Sequence, residues 1–553
     1  MTITVFQARK ILTMNPQQPE ATHVAVRDGR VLAVGDLAHM QALGPHALDS
    51  RFAGQVLMPG LVEGHCHLMA GGLWNFTFVG YHARTAPDGT TWQGCRDFDE
   101  VIERLVAAER SMSDAKAPLL AWGFDPIFFG SERMTADHLD RVSTSRPVVI
   151  LHASQHLMNV NRAAMAAAGI TRDTDIEGVA RFPDGEPNGE LQEFAAMFPI
   201  TRLTGNIFRV TGSDPASLRM FGQMAQLAGV TTATDLVNDL SDANAAAMAE
   251  VTAAPGFPVR LVPAYVCMDG SVNRAQGGER IRARQAEAAG NGKLHYGLVK
   301  IVADGSIQGF TARVRWPGYH NGAPNGIWIL PPAELKATIK DFHAQGFQLH
   351  IHTNGDEATE LALDGIEEAL DAHPRWDHRH TLQHCQMASE AQFARMARLG
   401  LCANLFANHI YYWGDAHRAL TMGPDRASRM DACATALRHG VPLAIHSDAP
   451  ITPLGPLFTA WCAVNRLTSS GQQLGAAECI SVPDALYAIT MGAAFTLRMD
   501  HLIGSIEVGK FADFCVLEDD PLAMNPAALK DVRIAGTVVG GQPLPQPGAD
   551  NHA

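Results

Sequence analysis

Residues 61–72 read LVEGHCHLMAGG, a short apolar run followed by two histidines and a pair of glycines. The run 61–67 has the composition of a buried β-strand, and one residue separates His65 from His67. Side chains at positions i and i+2 of a strand point to the same side of the sheet. The stretch therefore predicts a strand that ends in two imidazoles able to share one cation. A pair of hydrogen-bonded core histidines is the alternative interpretation.

Seven further β-rich runs follow this stretch, and Ala- and Leu-rich helical segments such as 334–345, 357–372 and 389–398 lie between them. Strands that alternate with helices in this way predict an α/β fold, here a (β/α)8 TIM-like barrel. The eight predicted strands are 61–67, 229–235, 259–266, 295–304, 347–353, 379–385, 400–406 and 441–448.

The two ends of the chain differ from its middle because both contain short β-rich runs with Gly turns, among them Asp28-Gly29. Neither end is long enough to bury a core alone, so we expect them to pair. About 160 residues separate the first two barrel strands, which is far more than one crossover needs. The predicted divisions are a small β-sandwich from residues 1–57 and 504–544, a barrel over 58–503 with an insertion at about 70–205, and a flexible tail at 545–553.

The overall composition is that of a globular protein, with 553 residues, 46% hydrophobic residues and a formal net charge of −14. The negative charge gives no support to nucleic acid or an acidic membrane as a partner. The nine cysteines form no C-x-x-C pair, and the N-terminus has no apolar signal segment. We therefore predict a cytoplasmic protein with reduced thiols; a homodimer is compatible with these features.

Four later strands also carry polar groups near their carboxyl ends, where a barrel presents its active site. They are Lys300 in the fourth strand, His352 in the fifth, His384 in the sixth and Asp448 in the eighth. Burying this many polar groups at one end of an apolar barrel costs free energy unless they are paired with one another or bind a common ligand. Together with the first two histidines, they predict a metal centre.

The alternation of side chains along a strand also predicts which neighbours of these residues face the centre. His350 and His446 precede His352 and Asp448 by two positions, so we expect them one layer deeper, as supporting or packing groups. Cys66 points away from the predicted centre and is expected to be a small buried residue.

Several of these motifs resemble the amidohydrolase superfamily of metal-dependent hydrolases, and within it the YtcJ-like branch, which includes N-substituted formamide deformylases. The matching stretches are MPGLVEGHCH, GVTTATD, VKIVADGSIQGFTA, HIHTNGDEA, QHCQMAS, HSDAPITPLGPL and GSIEVGKFADFCVLEDDP, in family order from residue 58 to 521. The chain departs from the pattern at Glu63, where Asp is frequent, at His446, where Gly is common, and at Asn404-Leu405 in place of Gln-Pro.

The resemblance implies a centre with two divalent metal ions. Zinc suits such ligands, and manganese, iron or cobalt are alternatives. The residues that the resemblance assigns are His65, His67 and Asp448 to the more buried metal, His352 and His384 to the second, and Lys300, carboxylated by CO2 to N6-carboxylysine, as the bridge between them. A mononuclear site with unmodified Lys300 is an open alternative.

The implied reaction is hydrolysis of a C–N bond other than a peptide bond, by a metal-bridging hydroxide whose proton Asp448 accepts. An amide such as an N-acyl or N-formyl amine is the expected substrate, and carbamates or cyclic amides are the alternative. Gly355 stands where deaminases of the superfamily often have Glu, which disfavours deamination. A non-catalytic scaffold with the same barrel is the rival from another class, although all six ligand positions are filled.

Candidate substrate contacts come from the insertion and the loops at the strand ends. The segment QHLMNVNRAAM resembles a branch motif that makes His156 a candidate, with a structural or capping histidine as the alternative. Trp122, Phe124 and Trp328 are predicted to line the pocket, although bulky aromatic residues are just as often part of a core.

Overall fold

The computed structural model describes residues 2–114, 116–130, 132–205, 214–267 and 274–546. Its strands form a seven-stranded, an eight-stranded and a six-stranded sheet and one two-stranded ribbon. In chain order the strands are β1 (Ile3–Leu12), β2 (Glu20–Arg27), β3 (Arg30–Gly35), β4 (His46–Pro59), β5 (Leu61–Glu63), β6 (Thr77–Phe78), β7 (Arg84–Thr85), β8 (Thr91–Trp92), β9 (Leu119–Phe124), β10 (Val148–His152), β11 (Leu157–Val160), β12 (Val179–Arg181), β13 (Pro187–Gln192), β14 (Val230–Asn238), β15 (Arg260–Cys267), β16 (Leu298–Val302), β17 (Gln348–Thr353), β18 (Thr381–His384), β19 (Cys402–Leu405), β20 (Leu443–Ile445), β21 (Phe514–Leu517), β22 (Ile534–Val539) and β23 (Gln542–Pro545).

The α-helices in the described ranges lie mostly between the strands of the largest sheet. They are Leu37–Gln41, Met69–Gly72, Phe98–Ser111, Ala136–Asp140, Arg162–Ala168, Glu193–Leu203, Pro215–Leu227, Asp242–Ala253, Arg274–Glu287, Pro332–Ala344, Asp356–Ala372, Glu390–Leu399, Asn408–Ala416, Gly423–Ala427, Cys433–Arg438, Pro456–Asn465, Val482–Tyr487 and Ala493–Thr496. None of the helices within these ranges is both long and apolar enough to cross a membrane.

The eight-stranded sheet is parallel, in the order β20-β19-β18-β17-β16-β15-β14-β5. Each strand lies within or overlaps one of the eight runs predicted from sequence, so the α/β prediction is confirmed. The sheet curls until its edge strands approach each other just beyond their last residues. There, the backbone N–H of His67 donates to Ala449 O over 2.8 Å, and that of Asp448 donates to His65 O over 3.1 Å.

Local sequence signals explain where the helices around this sheet begin and end. Helix Glu390–Leu399 begins with a capping box, in which the Ser389 side chain accepts the backbone N–H of Gln392. It ends at Gly400, whose φ of 72° is a left-handed conformation that glycine adopts without strain. Phe393 and Met396 on its inner face are buried in the largest hydrophobic core. This apolar stripe holds the helix against the barrel sheet.

Strands from both ends of the chain join in the seven-stranded sheet, in the order β23-β22-β21-β4-β1-β2-β3. Arg260 on barrel strand β15 ties this sheet to the barrel through a buried ion pair with Asp513, at 2.6 Å. The hydrogen bonds join all seven strands into one sheet, so the two-layered sandwich and its boundaries stay predictions. Residues 547–553 of the predicted flexible tail lie outside the described residues.

Between the first two barrel strands, a six-stranded sheet forms in the order β12-β13-β11-β10-β9-β6. Apolar clusters cover it, one containing Trp122 and Leu151 and another containing Phe124 and Ile150. The segment thus buries a core of its own within the interval where the sequence predicts an insertion. Its limits at about residues 70 and 205 stay a prediction.

Candidate functional site

The predicted metal-ligating residues meet at the carboxyl ends of the barrel strands. Strand β5 ends at Glu63, so His65 and His67 lie in the loop after it and not on the strand itself. The prediction that strand alternation aligns these two imidazoles is therefore wrong. The loop conformation and its hydrogen bonds to the segment after β20 bring them together instead.

Asp448 lies against both of these histidines. Its Oδ1 is 3.1 Å from His67 Nε2 and 3.4 Å from His65 Nε2, and all three side chains are nearly fully buried. Donor atoms of the three residues lie within 4.8 Å of one another, close enough for one cation to contact all of them. The backbone of Asp448 has a φ of 53°, a strained conformation that is concentrated at functional sites.

Lys300 on β16 completes this side of the cluster. Its Nζ lies 3.3 Å from His65 Nε2, and the residue is 2% exposed. Within the described ranges, no carboxylate lies within ion-pair distance of this amine, an arrangement that disfavours a charged ammonium. Burial lowers the pKa of Lys300 to about 7, against the opposing effect of the Asp448 charge. A large fraction of the side chain is therefore a neutral amine at neutral pH, which is the form that can react with CO2.

His352 and His384 approach the same point from β17 and β18. Their ring centroids are 4.5 Å apart, and the His384 ring lies 4.6 Å from that of His65. His384 Nδ1 is 3.7 Å from Asp448 Oδ2. The structure thus brings all six predicted ligands into one buried cluster.

Gln383 sits beneath this cluster and orients its histidines. His65 Nδ1–H donates to Gln383 Oε1 over 2.7 Å, and Gln383 Nε2 donates to His350 Nδ1 over 2.7 Å. Asn404 Nδ2 also donates to Gln383 Oε1, over 3.0 Å. Because Nδ1 of His65 is the protonated nitrogen, its Nε2 lone pair faces the cluster. Sequence reasoning missed Gln383, although it immediately precedes His384 on the predicted strand.

A second hydrogen-bond chain orients His384. His446 Nδ1–H donates to Asn404 Oδ1 over 3.0 Å, which leaves His446 Nε2 to accept from His384 Nδ1 over 3.1 Å. Burial lowers the pKa of His446 to about 3, so the ring is neutral, as this chain requires. Donor atoms of His65, His384 and His446 also lie within 4.8 Å of one another. Since both nitrogens of His446 are engaged, its position fits the predicted supporting role.

Two further carboxylates position the loops that carry the cluster. Glu63 Oε1 accepts the backbone N–H of Ser447 at 3.0 Å, and its Oε2 accepts the Ser447 hydroxyl at 2.8 Å. Asp235 Oδ1 lies 4.0 Å from His67 Nδ1, on the side away from Asp448. A carboxylate behind an imidazole raises its basicity as a ligand. Asp235 is the last residue of the GVTTATD motif and lies within β14.

The residues present fit a metal centre. His384 Nε2 and Asp448 Oδ1 are buried and have no hydrogen-bond partner within the described part of the chain. Leaving such atoms unpaired costs free energy, and a bound cation would satisfy the free lone pairs directed at it. Imidazole nitrogens with a carboxylate are the donor set that zinc and similar divalent ions prefer.

Comparison with known proteins shows the family of this chain. A family model described as "Amidohydrolase family" matches residues 53–545. The chain belongs to the amidohydrolase family. Putative amidohydrolase YtcJ of Bacillus subtilis (strain 168) is 27% identical over 96% of this chain and 97% of its own length. N-substituted formamide deformylase of Arthrobacter pascens is 24% identical, covering 96% of each chain.

The fold also matches a solved structure, that of an uncharacterized metal-dependent hydrolase from Pyrococcus horikoshii OT3. The TM-score is 0.71 at 18% identity, over 95% of this chain and 99% of the other. At this identity the match supports the fold alone. The resemblance expected from the sequence motifs is thereby confirmed at the level of the family.

A small cavity opens beside the ligand cluster of this amidohydrolase, with His352, His384 and Asp448 on one wall. Much of the remaining lining is polar. Side-chain atoms that are buried and unpartnered within the described ranges belong to four lining residues, Ser306, Gln308, Asn354 and Gln386. The cavity has a volume of about 20 Å³, and a single polar group or water that entered it would pair some of these atoms.

His156 lines this cavity, and the three aromatic candidates lie elsewhere. Trp122 packs against Trp74 and walls a separate cavity of about 280 Å³. Phe124 is fully buried in the core of the insertion, and Trp328 packs on the barrel core beneath Arg313. A pocket-lining role for these three side chains stays a prediction. Trp122 and Phe124 pack in apolar clusters of the insertion, and Trp328 packs on the largest core.

His156 is held in place by Glu193, whose Oε2 accepts from His156 Nδ1 at 2.8 Å. The ring lies 5.3 Å from that of His352. Burial favours the neutral form, but the charge and hydrogen bond of Glu193 outweigh it and raise the pKa of His156. The Glu193 carboxylate thus favours the protonated form of His156 at the edge of the ligand cluster.

Proposed function

We propose that this amidohydrolase is a metal-dependent enzyme that hydrolyses a C–N bond other than a peptide bond. An amide such as an N-acyl or N-formyl amine is the proposed substrate. The observation that carries the proposal is the convergence of four histidines, Lys300 and Asp448 with unpaired buried donor atoms. A relative whose name describes a formamide deformylase supports the choice of an amide.

Two divalent cations, most simply zinc, would supply polarisation of the scissile carbonyl and acidification of a water when bound here. We propose that His65, His67 and Asp448 hold one and His352 and His384 the other. Lys300 would bridge them as a carbamate, formed when its neutral Nζ adds to CO2 and releases a proton. The burial of Lys300 without an ionic partner in the described ranges supports this modification.

Asp448 is the proposed catalytic residue. Its carboxylate accepts the proton of the attacking water and delivers it to the leaving nitrogen, so that one group acts as base and then as acid. His67 Nε2 and His65 Nε2 lie beside it, 3.1 and 3.4 Å from Oδ1. The backbone N–H bond of Asp448 to His65 holds it at the strand end, so little reorganisation is needed during the reaction.

His156 is the proposed contact for the acyl side of the substrate. A protonated imidazole beside His352 can donate a hydrogen bond to an oxygen that gains negative charge as the carbonyl is attacked. Its partner Glu193 keeps Nδ1 occupied, which leaves Nε2–H for the substrate.

A substrate panel tests this function. Purified protein loaded with zinc or manganese is incubated with N-formyl amines, N-acyl amines, carbamates and cyclic amides, and release of amine and acid is measured. Turnover of the open-chain amides, lost on treatment with a chelator and restored by metal, is the expected result. Preference for carbamates or cyclic amides would select the alternative substrates. Inactivity of the metal-loaded protein on every C–N substrate would favour a non-catalytic scaffold.

A further inference from the structure

His409 is a cavity-lining residue to which the mechanism above gives no role. It lies near the start of helix Asn408–Ala416, which follows barrel strand β19, and it lines the same cavity as His384 and Asp448. The ring packs on Phe406 and Trp413, with centroid distances of 4.7 and 4.5 Å. At 2% exposure it is fixed in position and lies within the protein.

The inner nitrogen of this ring begins a chain of buried hydrogen bonds. His409 Nδ1 is 2.9 Å from His417 Nε2, and His417 Nδ1 is 2.8 Å from the hydroxyl oxygen of Thr421. The two ring planes are 11° apart with centroids at 5.2 Å, the geometry of an in-plane N–H···N bond. His417 and Thr421 are 0% exposed.

The hydroxyl of Thr421 sets the direction of this chain. In the described part of the protein, the hydroxyl has one hydrogen-bond partner, His417 Nδ1. If that nitrogen donated, the buried hydroxyl hydrogen would have no acceptor, which costs free energy. The hydroxyl therefore donates, and a neutral His417 then carries its hydrogen on Nε2. Burial lowers the pKa of His417 to about 3, in keeping with a neutral ring.

The same rule applied once more fixes the tautomer of His409. Because His417 Nε2–H donates to His409 Nδ1, a neutral His409 carries its hydrogen on Nε2. Within the described ranges, Nε2 has no hydrogen-bond partner in the protein. Nε2–H of His409 is therefore free to donate to a group bound in the cavity.

We propose that His409 is a substrate-positioning residue, which donates a hydrogen bond from Nε2 to an acceptor oxygen of the bound substrate, and that Thr421 acts through His417 to hold it in this donor state. The proposal rests on the proposed hydrolase function and deepens it. A substrate that fits must present a carbonyl or carboxylate oxygen to this wall. An ammonium group there would face a fixed N–H and bind poorly.

Thr421 offers a matched pair of variants for the test. Thr421→Ser keeps the hydroxyl, whereas Thr421→Val removes it at nearly constant volume and frees His417 to adopt the other tautomer. We expect Thr421→Ser to stay within about twofold of the parent in kcat/KM, and Thr421→Val to lose about tenfold. His409→Phe should lose about a hundredfold, and His409→Gln, which restores a donor, should recover part of it. Metal content should be equal in all four variants.

A spectroscopic measurement tests the tautomer independently of turnover. In protein labelled with 15N in histidine, the His409 Nε2 signal, assigned by its absence in His409→Gln, should be of the protonated type in the parent and in Thr421→Ser. It should change in Thr421→Val. An unprotonated Nε2 in the parent, or unchanged kcat/KM in Thr421→Val, would overturn the proposal. If no amide is hydrolysed by the parent, the proposed function fails, and the nitrogen signals still decide whether His409 is a fixed donor.

Discussion

The Nζ of Lys300 lies 3.3 Å from Nε2 of His65, and both residues are almost completely excluded from solvent. The pKa of His65 lies well below its usual value because of burial first and then the charge of Lys300. Two protonated groups at this distance would repel each other in a medium of low dielectric. The contact is therefore compatible with a neutral amine, or with an anionic carbamate that shares a cation with the imidazole.

Lys300→Ala should abolish most of the activity, by a factor of about a thousand or more, because it removes the proposed bridge between two cations. Short carboxylates such as acetate or propionate should restore part of it, since they can occupy the space of the carbamate. Steady-state rates with and without added carboxylate measure this. Lys293→Met, which changes a lysine remote from the cluster, is the control. Wild-type turnover in Lys300→Ala would rule out the bridge.

Asp448→Asn should separate metal binding from turnover. The amide keeps an oxygen donor for a cation but has no basic oxygen to accept a proton, so kcat should fall by about a thousandfold. Metal content should stay within about a factor of two of the parent. Metal analysis and kcat are measured on the same samples, with exposed Asp425→Asn as the control. An Asp448→Asn variant with parental kcat would exclude this residue as the proton acceptor.

The curled, eight-stranded parallel sheet was predictable because its signals are local. Eight apolar runs separated by helical periodicity mark the strands, and polar residues near their ends stand out against an apolar background. The left-handed backbone at His384 and Asp448 could not be read from those runs. The end of β5 at Glu63 was likewise hidden, because strand pairing stops there although the predicted strand goes on to His67.

The supporting network was not predictable, because it depends on register between neighbouring strands. The sheet pairs Gln383 with His352 on one side and with Asn404 on the other, and a shift by one residue would separate them. The contacts of Trp122 depend in the same way on how the insertion packs. Aromatic composition marks burial, but it does not tell a core from a pocket.

Variants of Gln383 test whether its hydrogen bonds are needed to orient the metal-binding histidines. Gln383→Leu removes the acceptor for His65 Nδ1–H and the donor to His350, and it should weaken metal binding about 10- to 100-fold. Gln383→Glu keeps the acceptor for His65 and should lose less. Titration of the metal-free variants with zinc gives the affinities. Equal affinity in Gln383→Leu and the parent would show that the hydrogen bond is not needed to orient His65.

Stability should depend on pH through Asp125, a buried carboxyl that is not one of the predicted ligands. Burial raises the pKa of Asp125 to about 6, although hydrogen bonds from Ile127 and Trp413 oppose the rise. Between about pH 4 and pH 6 the unfolded chain loses this proton while the folded protein keeps it. The free energy of unfolding should therefore fall as pH rises through this window, by up to about 3 kcal/mol from this residue.

Asp125→Asn removes this titration and gives the matched comparison. Urea unfolding at pH 4 and pH 7 should show the variant gaining stability relative to the parent as pH rises. A difference between the two proteins that is the same at both pH values would contradict the assignment to Asp125.

Metal content measured together with activity tests the central claim most directly. Protein purified without chelator and analysed by mass spectrometry for metals should contain about two divalent ions per chain. Stepwise reloading of the metal-free protein should restore amide hydrolysis fully only as the second equivalent binds. Full activity with one equivalent, or with none, would contradict a binuclear centre held by the four histidines, Lys300 and Asp448.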